Sequence, residues 1–102
     1  LGGCAGFQRS CSSWNAESFG SDWIIVQYSY NGIPINCWKE KATSITNEPH
    51  SDGIYWLDSD TGHLIHISGW YNRVQVAGGN YAGAADLLGI KLTGCTSGVY
   101  KP

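Results

Sequence analysis

This chain of 102 residues has little charge and none of the long apolar runs that cross membranes. Charged residues make up 14% of it, the formal net charge is −2, and methionine is absent. No stretch approaches ~18 consecutive apolar residues, so we expect no membrane insertion. Lys39 and Lys41 are the only close pair among the six basic residues. Nucleic acid as the main partner is therefore not expected, because it favours a basic face.

The common catalytic and cofactor motifs are also missing. The sequence has no GxSxG, and residues 78–83 are Gly-rich without the lysine of a phosphate-binding loop. It has no Asn-x-Ser/Thr glycosylation site either. We therefore expect no cofactor, assign no catalytic residue, and favour a non-enzymatic role over an enzymatic one.

The four cysteines, Cys4, Cys11, Cys37 and Cys95, lack the close pairs of a zinc site and predict two disulfides. Disulfides persist in oxidising compartments, which indicates a secreted, extracellular protein. Three connectivities are possible. We favour Cys4–Cys95, which joins the two ends of the chain, together with Cys11–Cys37, which ties the N-terminal segment to the first hairpin. Leu1-Gly2-Gly3 lacks the features of a signal peptide, so we expect a mature chain whose signal peptide has been removed.

The composition favours β structure, because aromatic residues reach 13% and the 14 glycines suit turns. Residues 1–102 are expected to form a single domain. The predicted fold is mainly β with one short helix: a compact sandwich or partly open barrel of five to seven strands.

Local signals place several of these elements. Asn31-Gly32 separates two β-rich runs, which predicts a hairpin with positive φ at both turn residues. Pro34 then places the second strand at a sheet edge, or makes it begin after the proline. A second hairpin with a turn at 58–62, a strand at 73–77, a helix at 81–88 between Asn80 and Gly89, and a last strand at 90–93 follow. Residues 1–22 and 39–52 have no clear assignment.

Titratable residues suggest little chemistry. His63 and His66 are three apart in a predicted strand and so point to opposite faces, while His50 lies in a loop. Residues 58–62 resemble a calcium loop superficially, but the twelfth position is Gly69 rather than a glutamate. We expect no metal site. A small secreted hydrolase such as a ribonuclease is one alternative, and a toxin or inhibitor that acts on a target protein is another. The ribonuclease would need a carboxylate, a histidine and an arginine in one cleft, drawn from Glu17, Glu40, Glu48, the histidines, Arg9 and Arg73.

Aromatic residues exceed what a core of this size needs, with five Trp and six Tyr. Any one of them can serve as core, yet some should be exposed beside polar groups, as in sites that bind sugars or proteins. Trp70, Tyr71 and Asn72 lie in a predicted loop between strands, so we select them as the candidate binding site.

Three short segments resemble repeats of the cyanovirin-N-type lectins: residues 6–11, 61–64 and 78–81. More broadly, the chain is similar to the small cysteine-stapled proteins that filamentous fungi secrete as effectors or elicitors. The cyanovirin-N-type lectins have two tandem repeats, each with a Ser-Cys motif, whereas this chain shows no such duplication. After residues 78–81 it has Ala84-Ala85 in place of the cysteine that those lectins have. No binding residue is carried over. The resemblance implies an extracellular protein that binds a host protein or a surface glycan.

Overall fold

The computed structural model describes residues 20–102, which fold into seven β-strands and one α-helix. The strands form two antiparallel sheets: sheet A in the order β6-β1-β2-β7 and sheet B in the order β3-β4-β5. The expected mainly-β domain with one short helix is confirmed for this part of the chain. In chain order the elements are β1 Ser21–Tyr28, β2 Pro34–Thr43, β3 Thr46–Asn47, β4 Ile54–Leu57, β5 Leu64–Ile67, β6 Tyr71–Val76, α1 Tyr81–Leu88 and β7 Gly98–Val99.

The first hairpin is confirmed, but its turn differs from the prediction. β1 and β2 pair antiparallel, with Ile25 opposite Trp38. Gly32 has a φ of 80°, whereas Asn31 is not among the residues with positive φ. The N–H of Gly32 donates to the carbonyl of Ser29 at 2.9 Å, which closes a longer turn with a single left-handed residue. One residue with positive φ, Gly32, is therefore enough for this turn, whereas the sequence predicts positive φ at both Asn31 and Gly32.

The second strand is longer than predicted and is not at an edge. It begins at Pro34, where a ladder can lack one N–H, and it continues to Thr43 between β1 and β7. The second hairpin is confirmed as β4 and β5, with Trp56 opposite Ile65. The predicted strand at 73–77 corresponds to β6, which pairs with β1. It begins two residues earlier, because Tyr71 and Asn72 pair with Gln27 and Val26, so these two residues lie in a strand and not in the predicted loop.

β1 is buried on both faces at its centre. Ile24 and Val26 pack toward α1, whereas Ile25 packs toward sheet B. All three have no exposed surface. A central strand covered on both sides reads as a continuous apolar run, and Ile24-Ile25-Val26 is such a run. Sheet A therefore lies between the helix on one side and sheet B on the other.

Helix α1 has the predicted bounds and both predicted caps. The side chain of Asn80 accepts from the N–H of Gly83 at 3.0 Å. Gly89 adopts the left-handed conformation with a φ of 69°, and its N–H donates to the end of the helix. No helix in the described residues has the length and apolarity to cross a membrane.

The last strand was predicted at the wrong place. Ile90 donates its N–H to Ala85 as part of the helix C-cap, and Lys91 donates its N–H to the hydroxyl of Tyr100 at 2.8 Å. These donors are therefore unavailable to a sheet, and Leu92–Gly94 forms a 3₁₀ turn. The terminal strand is β7, which pairs with β2 at Asn36 and Cys37.

The predicted disulfide connectivity is wrong, because Cys37 is bonded to Cys95. Both Cys4–Cys95 and Cys11–Cys37 are excluded by that bond. The bond crosses from β2 to the segment that follows the 3₁₀ turn, so it ties the C-terminal segment to the centre of sheet A. Cys4 and Cys11 lie outside the described residues.

Candidate functional site

A groove with aromatic walls lies at the end of sheet A where β1 leaves the sheet and β6 enters it. Its volume is about 490 Å³. We call it the aromatic groove. It is lined by Tyr28, Ser29, Tyr30, Gly32, Gly69, Trp70, Tyr71 and Asn72.

Two turns bring these residues together. The N–H of Tyr28 donates to the carbonyl of Trp70 at 2.8 Å, which joins the end of β1 to the loop before β6. Gly69 has a φ of 85°, a conformation that residues with a Cβ rarely adopt, and it turns the chain into β6. The β1–β2 turn supplies Tyr30 and Gly32 on the other side. The groove is thus set by backbone contacts of sheet A.

The aromatic side chains differ in how firmly they are held. Tyr30 and Trp70 are 77% and 63% exposed. Tyr28 is half-buried against the helix-side core and Tyr71 against the core between the sheets. The hydroxyl of Tyr71 also donates to the carbonyl of Asp52 at 2.6 Å. The groove therefore combines two fixed rings with two accessible ring faces.

The lining of the aromatic groove carries no ionisable acid or base apart from its tyrosines. Burial raises the pKa of Tyr28 above its usual range, so this phenol is neutral at physiological pH. Asn72 accepts from the N–H of Arg73 at 2.9 Å through its side-chain oxygen, which fixes that amide beside the groove. The site offers flat apolar faces with neutral polar groups next to them.

All three residues selected from the sequence, Trp70, Tyr71 and Asn72, line this groove; their role in binding stays a prediction. Sequence reasoning missed the other wall, formed by Tyr28, Ser29 and Tyr30. The two tyrosines in Tyr28-Ser29-Tyr30, just before Asn31-Gly32, were the available signal. Tyr30 itself lies in the turn after β1 ends.

A second groove of about 490 Å³ is lined by parts of β2, by the end of β4 and by the β4–β5 loop, which contributes the carboxyl group of Asp58. We call it the carboxyl groove; its lining includes Lys41, Ala42, Thr43, Ser44, Leu57, Asp58, Ser59 and Gly62. Ala42 has a φ of 51°, which is unfavourable for a residue with a Cβ. Beneath the loop, Glu40 is completely buried.

Glu40 accepts from the N–H of Ser59, the residue directly after Asp58, so the two carboxyl groups are neighbours, and their pKa values shift in opposite directions. Burial raises the pKa of Glu40, and the neighbouring Asp58 raises it further. Burial alone would raise the pKa of Asp58 as well, but the neighbouring Glu40 carboxyl and the hydrogen bonds from Thr61 and the Asp60 backbone together lower it. Opposite shifts of this kind occur where two carboxyl groups cannot both be charged.

The groups that a ribonuclease needs come together only in part. Glu48 contacts His66 across sheet B. Arg73 instead donates to Asn47 at 3.4 Å and lies over the ring of Trp23 at 5.5 Å. His50 and His63 are exposed. Arg9 and Glu17 lie outside the described residues.

Nothing in residues 20–102 forms a group of three or more His, Cys, Asp or Glu side chains that could hold a metal ion. The β4–β5 loop, which superficially resembles a calcium loop, is organised by Asp58 itself. Its Oδ2 accepts from the N–H of Thr61 at 3.0 Å and from the hydroxyl of Thr61 at 2.7 Å. In the structure, this carboxylate serves as the hydrogen-bond acceptor of its own turn.

Comparison of the chain with protein-family models, with curated proteins and with solved structures finds no match.

Proposed function

We propose that this protein is a secreted, non-enzymatic binding module that holds an uncharged glycan in the aromatic groove. The observation that supports the proposal is a groove whose lining includes four aromatic residues, Tyr28, Tyr30, Trp70 and Tyr71, beside neutral polar residues, with Tyr30 and Trp70 largely exposed. A pyranose ring has an apolar face of C–H groups and a rim of hydroxyls. An aromatic face can cover the first, and the Ser29 hydroxyl and the Asn72 amide can bond the second.

The shape of the site favours a glycan over a host protein as the ligand. A groove of about 490 Å³ falls in the usual range of small-ligand sites, roughly 300–1,000 Å³. A stable protein partner generally needs about 800 Å² of contact on each side. The groove by itself is suited to a short stretch of sugar units rather than to an extended protein surface.

The charge of the lining favours a neutral sugar. Acidic sugars such as uronates are usually held by arginine or lysine, because charge-assisted hydrogen bonds are the strong ones. The groove has no such residue. Binding should consequently depend little on salt, since the interaction involves no pair of charges that salt would screen.

The proposal also includes an extracellular location and a finer description of the fold. The Cys37–Cys95 bond supports an oxidising compartment. With that bond made, only one of the three possible connectivities remains, and it pairs Cys4 with Cys11. We thus propose a small two-sheet sandwich with two disulfides, acting at a host surface as an effector or elicitor.

The test is a binding assay of the full chain on immobilised glycans, with neutral glucans and chitin oligosaccharides compared with polyuronates. Trp70→Ala and Tyr30→Ala should each weaken binding by roughly tenfold or more, as for aromatic anchors of other sites. Leu87→Ala is the matched control, because Leu87 is 79% exposed on α1, away from the groove. All three variants should unfold at the temperature of the unmodified protein.

Three outcomes would overturn the proposal. One is neutral-glycan binding that survives both aromatic substitutions. Another is binding to polyuronates alone, with strong salt dependence. The third is capture of a host protein, with no glycan bound, by a surface that includes Trp70, which would support the protein-partner alternative instead.

The second candidate function is a small secreted ribonuclease, and the contact between Glu48 and His66 is the observation that favours it. A carboxylate beside an imidazole can move a proton to or from a substrate hydroxyl. We expect no RNA cleavage above background. Cleavage that is lost in His66→Ala and kept in His63→Ala would establish this alternative.

A further inference from the structure

The carboxyl group of Glu40 lies between the two sheets with no exposed surface. Its oxygens accept from the indole N–H of Trp56 at 2.9 Å, from the N–H of Ser59 at 2.7 Å and from the hydroxyl of Ser59 at 2.8 Å. The ion pair found in residues 20–102 joins His66 to Glu48 and does not involve Glu40. A buried carboxylate without a cation is costly, which favours a neutral carboxyl group at this position.

The carboxyl group of Asp58, in contrast, has an oxygen that lacks a hydrogen-bond donor. Asp58 is 5% exposed, and its Oδ2 is occupied by Thr61. Its Oδ1 is buried and receives no hydrogen bond from the residues that the structure describes. A buried acceptor without a donor is unfavourable and uncommon in native proteins. Ser59, the next residue, is bonded to Glu40, so the carboxyl of Glu40 is a neighbouring group that could supply a donor, provided that this carboxyl carries a proton.

We propose that Glu40 and Asp58 share a single proton, and that this proton fastens the β4–β5 loop onto β2 and shapes the carboxyl groove. The proton supplies the donor that Asp58 Oδ1 lacks, while the Glu40 oxygens still accept from Trp56 and Ser59. The opposite pKa shifts of the two groups agree with a proton that resides mainly on Glu40.

Hydrogen bonds to Glu40 and Asp58 hold the β4–β5 loop from Ser59 to His63. Ser59 is bound to Glu40, and Thr61 is bound to Asp58. The carbonyl of Asp58 accepts from the N–H of Gly62 at 2.8 Å, and the N–H of Asp58 donates to the carbonyl of His63 at 2.8 Å. Asp58, Ser59 and Gly62 are also walls of the carboxyl groove. Loss of the shared proton would therefore change the groove, because two buried like charges repel each other.

The surrounding charges do not offset that repulsion. Lys39 neighbours Glu40 in β2, so alternation turns its side chain to the other face, where it lies over the ring of Tyr81 at 4.6 Å. Lys41 lines the carboxyl groove, but within residues 20–102 no ion pair joins it to Glu40 or Asp58. Asp60 in the loop is exposed, and Asp22 of β1 accepts from the N–H of Ala42. The titratable groups around the pair thus include Asp22, Lys39, Lys41, Asp60, His63 and Tyr81.

The direction of the pH dependence follows from the two shifts. The pKa of Glu40 is raised, so its contribution to stability is complete below the unfolded pKa of about 4.3 and is lost as pH rises through the folded pKa. The pKa of Asp58 is lowered, so its contribution is present above about 3.9 and is lost as pH falls through the folded pKa. The pair is most stabilising in between, in mildly acidic solution.

The first test is urea unfolding of the full chain across a range of pH, for the unmodified protein, Glu40→Gln and Asp60→Asn. Between the unfolded and folded pKa of Glu40, the unfolding equilibrium constant should rise by up to tenfold per pH unit. Glu40→Gln should remove this rise, because its amide donates to Asp58 at every pH. Asp60→Asn, an exposed change in the same loop, should keep it. Equal slopes in the unmodified protein and in Glu40→Gln would overturn the proposal.

A second measurement needs no substitution, in case Glu40→Gln fails to fold. The chain contains three glutamates, so their side-chain carboxyl carbons can be resolved by NMR during a pH titration. Glu40 should titrate above the ordinary range of glutamate. Over the same interval the hydrogen-exchange protection of the Ser59 and Thr61 amides should fall, while that of Gly83 stays constant. A Glu40 that titrates in the ordinary range would overturn the proposal.

Discussion

Trp38 and Trp56 meet edge to face between the two sheets, with ring centroids 5.3 Å apart and ring planes at 78°. Trp38 belongs to β2 and Trp56 to β4, so this contact joins sheet A to sheet B. The indole N–H of Trp56 also donates to Glu40. One side chain consequently stabilises both the apolar core between the sheets and the buried carboxyl pair.

Trp56→Ala should lower the free energy of unfolding by about 3–5 kcal/mol, because Trp56 is only 1% exposed and its removal leaves a cavity in the core. Trp70→Ala is the matched control and should change stability by no more than about 0.5 kcal/mol, since Trp70 is largely exposed. Urea unfolding at one pH measures both. Equal losses in the two variants would contradict the assignment of Trp56 to the core.

Peptide mapping of the unreduced protein should find Cys37 linked to Cys95 and Cys4 linked to Cys11. Replacing Cys37 and Cys95 together by serine should lower the free energy of unfolding by about 2–5 kcal/mol, the usual effect of removing a native disulfide from a small domain. A peptide that links Cys4 to Cys95 would refute the pairing.

Gly20→Ala should destabilise the protein more than Gly79→Ala does, by about 1 kcal/mol or more. Both glycines have positive φ, 89° and 73°, so both alanines are strained. A Cβ at Gly20 would also lie 2.7 Å from the backbone carbon of Ala42, whereas a Cβ at Gly79 meets nothing within 4 Å. Thermal unfolding of the pair separates steric contact from backbone strain. Similar losses would mean that β1 and β2 can move apart at this point.

Stability should also fall in alkaline solution. Burial raises the pKa of Tyr28 and of Tyr81, and the charges of Asp22 and Glu40 raise that of Tyr81 further. The neutral phenols therefore contribute fully below the unfolded pKa of about 10, and this contribution is lost as pH rises through the folded values. Tyrosinate absorbance measures the ionisation. Tyr28→Phe and Tyr81→Phe should each remove a late-ionising component, and removal of an early one would contradict the prediction.

Short-range signals predicted much of the fold, and they did so where the physical cause is itself local. The ends of α1 could be predicted from Asn80 and Gly89, because a helix cap needs only the side chain or the φ of one residue. The alternating runs on either side of residues 58–62 likewise predicted the β4–β5 hairpin. The segment 90–93 failed because a helix cap and the distant Tyr100 took the donors that a strand would have used.

The candidate site could be predicted only from one side. The sequence indicated Trp70, Tyr71 and Asn72 because these residues follow one another in the chain. It did not indicate Tyr28, which joins them through a backbone hydrogen bond to Trp70, 42 positions away in the chain. Glu40 was hidden more completely. In the sequence Lys39-Glu40-Lys41 it resembles a surface residue, and only the packing of the β4–β5 loop against β2 buries it.

The sequence by itself determined the β-rich class of this protein, the bounds of helix α1, the presence of a disulfide and the surplus of aromatic residues, because composition and local conformational preference decide these properties. The tertiary structure decided which cysteines bond, which aromatic residues line one groove, and that two carboxyl groups meet out of water. Each of those depends on contacts between residues far apart in the chain, whose geometry is set by the packing of sheet A against α1 and sheet B.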